Sequence, residues 1–148
     1  MQIYAAKTGK AALSAPELAA FQSYIKQIGA AGTHFQFISL GPDQLQITLN
    51  VTYNPQIISG TGEMHDSGAK TVDSAITDYL NNIKYSGRFN RSGLIDAVQN
   101  AQGVLDAVLG VVKMNGDTID TQSFESPSGF YNASAINVTY TAGDIDDY

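Results

Sequence analysis

Residues Leu45–Tyr53 read LQITLNVTY. Leu45, Ile47, Leu49, Val51 and Tyr53 alternate with Gln46, Thr48, Asn50 and Thr52. A period of two is that of a β-strand, whose successive side chains point to opposite faces. One face here is apolar and the other is polar but uncharged. The stretch therefore predicts a strand with one buried face. Its last four residues, Asn50-Val51-Thr52-Tyr53, recur as Asn137-Val138-Thr139-Tyr140. There too Ile136, Val138 and Tyr140 alternate with Asn137, Thr139 and Thr141. We read the repeat first as one strand solution used twice, because β-branched and aromatic residues suit a half-buried pleated surface. A duplicated unit and a repeated binding site are the alternatives. Asn-Val-Thr also fits a glycosylation acceptor, as does Asn132-Ala133-Ser134, but Met1–Lys7 lacks a basic stretch followed by an apolar one, so no secretory leader is expected.

The rest of the chain is organised around these strands. Gln2–Lys7 reads as a strand and Thr8-Gly9-Lys10 as a turn. Ser14-Ala15-Pro16-Glu17 carries a capping box with Pro in the first turn. Leu18, Phe21, Ile25 and Ile28 then line one helical face, which Gly29 and Gly32 end. His34–Leu40 reads as a strand. Through the turn Gly41-Pro42-Asp43 it should form an antiparallel hairpin with Leu45–Tyr53. Residues 54–68, rich in Gly, Ser and Thr, read as an exposed loop or boundary. A second helix follows, with Val72, Ile76, Tyr79, Leu80 and Ile83 inward. Gly87 stops it, and a third runs from about Ser92 to Gln102 with Leu94, Ile95, Val98 and Ala101 inward. Val104–Lys113 is strand-like, Asn115-Gly116-Asp117 turns it, and residues 121–132 read as irregular before the last strand, Ala135–Thr141. The expected class is α+β, with two small units of antiparallel strands each covered by helices. The expected division is a strand-helix-hairpin unit over 1–58 and a helix-helix-strand-strand unit over 59–148, ending in a frayed acidic tail.

Composition narrows the function classes. The 148 residues carry a net charge of -6 and no cysteine, which excludes disulfides and thiolate chemistry. The acidic balance argues against nucleic acid as a partner, because phosphate binding rests on Lys and Arg. No run of 18 apolar residues is present, so no membrane insertion is expected. Charged residues make up only 15%, against roughly 25% in soluble proteins generally. Gln, Asn, Ser and Thr together outnumber them. Interface cores are depleted in Lys, Glu and Asp, so a chain that buries its surface against neighbours could look like this. A secreted-type or cold-adapted surface is the other reading.

Four stretches could carry chemistry. Glu63, His65 and Asp66 are weak metal candidates on the 54–68 loop, where a solvated loop is the simpler reading. Asn115, Asp117 and Asp120 suggest calcium, but Gly116 comes too early and no Glu follows at the spacing that a calcium loop needs, so a plain β-turn is expected. Asp144, Asp146 and Asp147 in the tail read as a solvated end. Gly87-Arg88-Phe89-Asn90-Arg91-Ser92-Gly93 could present an anion site at the start of the third helix. Otherwise it is a helix corner in which Phe89 plugs the core, Asn90 or Ser92 caps the helix and the Arg side chains reach carboxylates or neighbours. No nucleotide loop, Ser-His-Asp order or catalytic carboxylate pair stands out. Neither an enzyme nor a cofactor is expected.

The stretch TVDSAITDYLNNIKYSGRFNRSGLIDAVQNAQGVLDAVL, Thr71–Leu109, resembles the C-terminal part of baseplate J-like proteins, the wedge components of contractile phage tails and related injection machines. The family pattern is a helix ending in a Tyr-Leu-type pair, a Gly-containing corner, a short helix and a Gly-Val that leads a strand. Tyr79-Leu80, Gly87, Leu94–Ala101 and Gly103-Val104 match it here. IYAAKTGKAALSAPELAAFQSYI and PDQLQITLNVTYNP are similar to the family's strand-loop-helix unit and following long strand. The family's long N-terminal region has no counterpart before Met1. The resemblance implies a structural module of a virion tail baseplate, assembled with other tail proteins and with copies of itself. Arg88, Phe89 and Arg91 are then the interface candidates. A small ligand- or ion-binding module using the 54–68 loop or the Arg88/Arg91 corner is the alternative.

Overall fold

The computed structural model describes residues 1–9, 11–29 and 31–147. The third residue of the expected Thr8–Lys10 turn and the last residue of the acidic tail lie outside them.

The chain begins with β1 (Gln2–Tyr4), α1 (Ala15–Ile28) and β2 (Gln36–Ile38). There follow β3 (Asp43–Tyr53), α2 (Thr71–Asn82), β4 (Arg88–Asn90), α3 (Arg91–Gln99) and β5 (Val104–Met114). β6 (Asp117–Thr118), β7 (Ser123–Glu125) and β8 (Tyr131–Ala142) complete the strands, and a 3-10 turn at Ile145–Asp147 ends the described chain. The fold is α+β, as the sequence pattern implies.

β3 is the axis of the molecule. It lies between β5, antiparallel, and β8, parallel, in a four-stranded sheet of order β6-β5-β3-β8. Leu45, Ile47 and Leu49 are fully buried, and Val51 and Tyr53 nearly so. Val72, Ile76 and Leu80 of α2 and Leu94 and Val98 of α3 cover this face. Each fully buried aliphatic side chain contributes roughly 1.5–3 kcal/mol by leaving water. β8 runs beside β3 in a register that pairs Leu49 with Val138 and Val51 with Tyr140. The two Asn-Val-Thr-Tyr segments are therefore neighbours, offset by two residues, with Asn50 opposite Thr139. The rings of Tyr53 and Tyr140 meet edge to face at 6.1 Å.

The pairing corrects the expected hairpin. β2 does not pair with β3; it pairs in parallel with β1, with α1 as the crossover. β2 offers only three residues, whereas β5 and β8 offer 11 and 12 and occupy both edges of β3. The expected division after residue 58 is corrected for the same reason. The central strand comes from the first expected unit and its sheet neighbours from the second, around one core.

β5 does not alternate, and its geometry explains why. Its register against β3 shifts between Ile47 and Leu49, so that Gly110 and Val111 stand against Thr48 alone. This bulge returns Val112 to the core while Val108 and Val111 stay exposed. At the following turn Asn115 and Gly116 both take positive φ, 52° and 95°, which suits a tight hairpin into β6. The expected Asn-Gly turn is thus in place.

Candidate functional site

The Gly87–Gly93 corner is held from inside. Phe89 is fully buried, stacks on Phe124 at 4.7 Å and meets the Tyr79 ring edge to face at 5.8 Å. The Tyr131 hydroxyl donates to the Phe124 carbonyl at 2.9 Å and accepts from the Phe89 amide at 3.2 Å. The Tyr79 hydroxyl donates to the Asn90 carbonyl at 2.8 Å and accepts from the Asn90 amide at 3.0 Å. Burial pushes both phenols above their usual range, so both stay protonated donors. Asn90 Oδ1 accepts from the Ser92 amide at 2.9 Å and caps α3, so the helix start is already served by its own chain.

The two arginines have different duties. Arg88 is exposed and pairs with Glu125 across β4 and β7 at 2.9 Å. Arg91 donates to three backbone carbonyls: Thr121 at 2.9 Å, Gly110 at 3.3 Å, and Ile119. It ties the chain after β6 onto the outer edge of β5. Of the interface candidates Arg88, Phe89 and Arg91, only Arg88 presents its side chain to solvent. Phe89 is withdrawn as a contact residue because it is core, and Arg91 because its guanidinium is consumed within the fold.

The 54–68 segment is a largely exposed series of turns, as its sequence implies, anchored to the body at Ile58, Gly62 and Met64. Ile58 is fully buried and bridges to Met64, itself 8% exposed. The His65 amide donates to the Ile57 carbonyl at 3.0 Å, and Ser59 to Glu63 at 2.8 Å. Gly103, with φ of 85°, lies so close to Ile58 that any side chain there would collide with it. Glu63, His65 and Asp66 are exposed on this lobe, and the His65 ring contacts the Pro55 carbonyl at 3.1 Å. No group of three or more His, Asp or Glu residues stands in ligating reach among the described residues.

A buried polar latch went unforeseen. Asp43, expected in an exposed turn, is only 8% exposed. Its carboxylate accepts from Asn115 Nδ2 at 2.7 Å, from the Ser128 hydroxyl at 3.0 Å, from the Ser128 amide at 3.1 Å, and from the Ser126 hydroxyl. Burial alone would raise this carboxyl, but the donors outweigh it and hold it below its ordinary value. Asn115 Oδ1 in turn accepts from the Gln44 amide at 2.9 Å. The latch joins the start of β3 to the β5–β6 turn and to the 126–130 turn. It also commits Asn115, one of the calcium candidates, to the fold. Asp117 and Asp120 are exposed.

The surface left with a distinct chemistry is the sheet face opposite α2 and α3. β3 places Gln46, Thr48 and Asn50 on it, and β8 places Asn137, Thr139 and Thr141 beside them through the pairs Thr48–Asn137 and Asn50–Thr139. β5 adds the exposed Val108 and Val111. Lys113, paired with Gln46, is the charged residue that β5 adds to it. A shallow depression among Gln46, Thr48, Val111, Lys113 and Asn137 lies at its centre. The arrangement offers amide and hydroxyl groups around small apolar patches on a stiff frame. Outside Lys113, such a face can hydrogen-bond a partner without the desolvation cost of buried charge. The sequence marked these residues as the polar side of their strands but not as a site; the signal was their lack of charge.

Neither protein-family models nor curated proteins yield a match to this chain.

Proposed function

We propose that the chain is a structural wedge or arm module of a phage tail baseplate or related injection apparatus, acting through protein-protein assembly. The observation that carries this reading is the outer face of the β5–β3–β8 sheet, on which uncharged amide and hydroxyl side chains of β3 and β8 surround a depression with Lys113 as its charged residue. A second support is the order of elements across Thr71–Leu109. α2, a corner containing Gly87, α3, and a strand led by Gly103-Val104 follow one another as the baseplate J-like resemblance expects. The latch at Asp43 and the aromatic knot around Phe89 favour a stiff body that passes on force or rearrangement as a unit. In this reading the partners are other tail proteins, and the natural location is the virion tail. The direct test is negative-stain imaging of the source particle with a label on this chain. Label density at the baseplate is the expected result. Purified particles that lack the chain would overturn the proposal.

A further inference from the structure

The two edges of the four-stranded sheet are finished differently. On one side β6 covers the end of β5, and Arg91 caps the Gly110 carbonyl further along. On the other side β8 is the last strand, and no strand pairs with its outer edge among the described residues. Exposed edges are normally blunted by charge, proline or brevity, because their free amides and carbonyls template another strand. β8 has none of these protections. It is 12 residues long, YNASAINVTYTA, without a charged residue or a proline. Its one irregularity, the extra Ser134 in the register with β3, sits near its start and leaves Ala135–Ala142 regular.

We propose that this edge pairs, antiparallel, with the same edge of a second copy, joining two four-stranded sheets into one. An edge of backbone donors and acceptors selects a strand as its partner. A second copy suits that strand by two-fold symmetry and by the neutrality of the edge. With a net charge of -6, two copies repel over most of their surface, and β8 is a long neutral line along which they can meet. A two-fold axis perpendicular to the sheet keeps like faces together. The half-buried row Ile136, Val138 and Tyr140 would then continue the apolar layer beneath α2. The row Asn137, Thr139 and Thr141 would meet its own copy, where Thr and Asn side chains pair across strands. A groove of about 160 Å³ between α2 and this edge, lined by Thr77, Leu80, Ala133 and Ile136 among others, would receive apolar side chains of the partner strand. The paired sheets would present one continuous outer face of twice the area. The proposal stands apart from the tail-module reading and survives its failure.

The chain has no cysteine, so a single introduced thiol reports proximity cleanly. Ala135→Cys, Asn137→Cys and Thr139→Cys are each oxidised at micromolar protein and read on a non-reducing gel, with Asn50→Cys in the middle of the sheet as the control. Light scattering after gel filtration reads the mass of the unaltered chain and of Thr139→Lys. The expected results are a doubled mass that falls on dilution, a disulfide dimer from at least one of the three β8 positions but not from Asn50→Cys, and a folded monomer for Thr139→Lys by circular dichroism. A chain that stays monomeric at the highest concentration overturns the proposal and leaves the edge to a strand of another protein. A dimer that cross-links through Asn50→Cys alone, or that Thr139→Lys leaves intact, overturns it as well.

Discussion

The first 42 residues and the body that follows are built to different standards. Between Met1 and Pro42 no described residue is buried, and α1 buries none of its side chains. Leu18, Phe21 and Ile25 are half-covered while Ile28 is 63% exposed. The lobe holds together by ring contacts, such as Phe21 on Phe37 at 5.8 Å, by the Lys7–Glu17 ion pair at 2.6 Å, and by a capping box in which the Ser14 amide donates to Glu17 at 2.8 Å. From Asp43 onward, strands and helices close over a continuous set of fully buried side chains. Both halves carry good local signals, and only the body turns them into a core. A well-capped amphipathic helix secures a local shape; burial secures its place. The lobe is accordingly the part whose stability depends most on what it docks against.

The largest expected effect lies at the centre of the body. Leu49→Ala should cost about 2–5 kcal/mol of unfolding free energy, because a fully buried side chain leaves a cavity between β3 and the helices. Leu18→Ala in α1 should cost about 1 kcal/mol or less. Urea unfolding followed by circular dichroism measures both, and equal costs would erase the distinction between the two regions.

Next comes the latch. Asp43→Ala should cost about 1–3 kcal/mol, since buried hydroxyl and amide donors lose their acceptor. Its pH dependence has a definite sign. The folded-state pKa lies below the ordinary 3.8, so the stabilisation is complete above that value and is lost as pH falls through the lower folded one. Acid titration of stability should show a component in that range that Asp43→Asn removes. If the two titrations superimpose, the carboxylate is not held as described.

Smaller still is the lobe's own contribution. Ser14→Ala, which removes the hydroxyl that donates to Glu17 at 2.6 Å, should cost about 1 kcal/mol or less, confined to the start of α1. Amide exchange should speed up in α1 and remain unchanged in β3. Glu17, whose carboxyl is drawn down to about 2 by Lys7 and Ser14, should titrate near there by NMR while the melting temperature of the body stays put. Exchange rates that rise together in α1 and β3 would make the lobe and body one cooperative unit.

What could be read in the sequence follows the same line. Strict alternation made Leu45–Tyr53 legible, down to which face is buried, and did the same for Ile136–Tyr140. The capping box at Ser14, the inward faces of α2 and α3, and the Asn115-Gly116 turn were legible because each is set by residues within one or two turns. Partner choice was not. Nothing local says that β3 prefers β5 and β8 to the nearby β2, which is short and separated from it by Pro42. Asp43 looked like a turn residue because the donors to its carboxylate, Asn115, Ser126 and Ser128, lie more than 70 positions away. The 54–68 segment is exposed over most of its length, as read, but its anchoring through Ile58 and Met64 was not legible among its glycines and serines. At the corner, the Phe89 plug and the Asn90 cap were among the readings offered. The carbonyl clamp of Arg91 was not, since a charged side chain gives no sequence sign of the backbone it will hold. Charge reversal at Arg91 would therefore damage the fold, which makes it unsuitable as a probe of assembly.

The outer sheet face is the better place to probe. Thr48→Glu together with Asn137→Lys sets opposite charges on neighbouring residues of β3 and β8. The pair leaves net charge and core untouched and can form a surface ion pair in the isolated chain, but burying it against a partner costs several kcal/mol. Under the tail-module role proposed above, reconstitution of tail particles with this chain or the unaltered one, read by the amount of chain in purified particles, measures that cost. Incorporation of the unaltered chain and exclusion of the doubly altered chain, with equal circular dichroism and melting temperature, is the predicted result. Equal incorporation of both chains would show that this face does not carry the assembly.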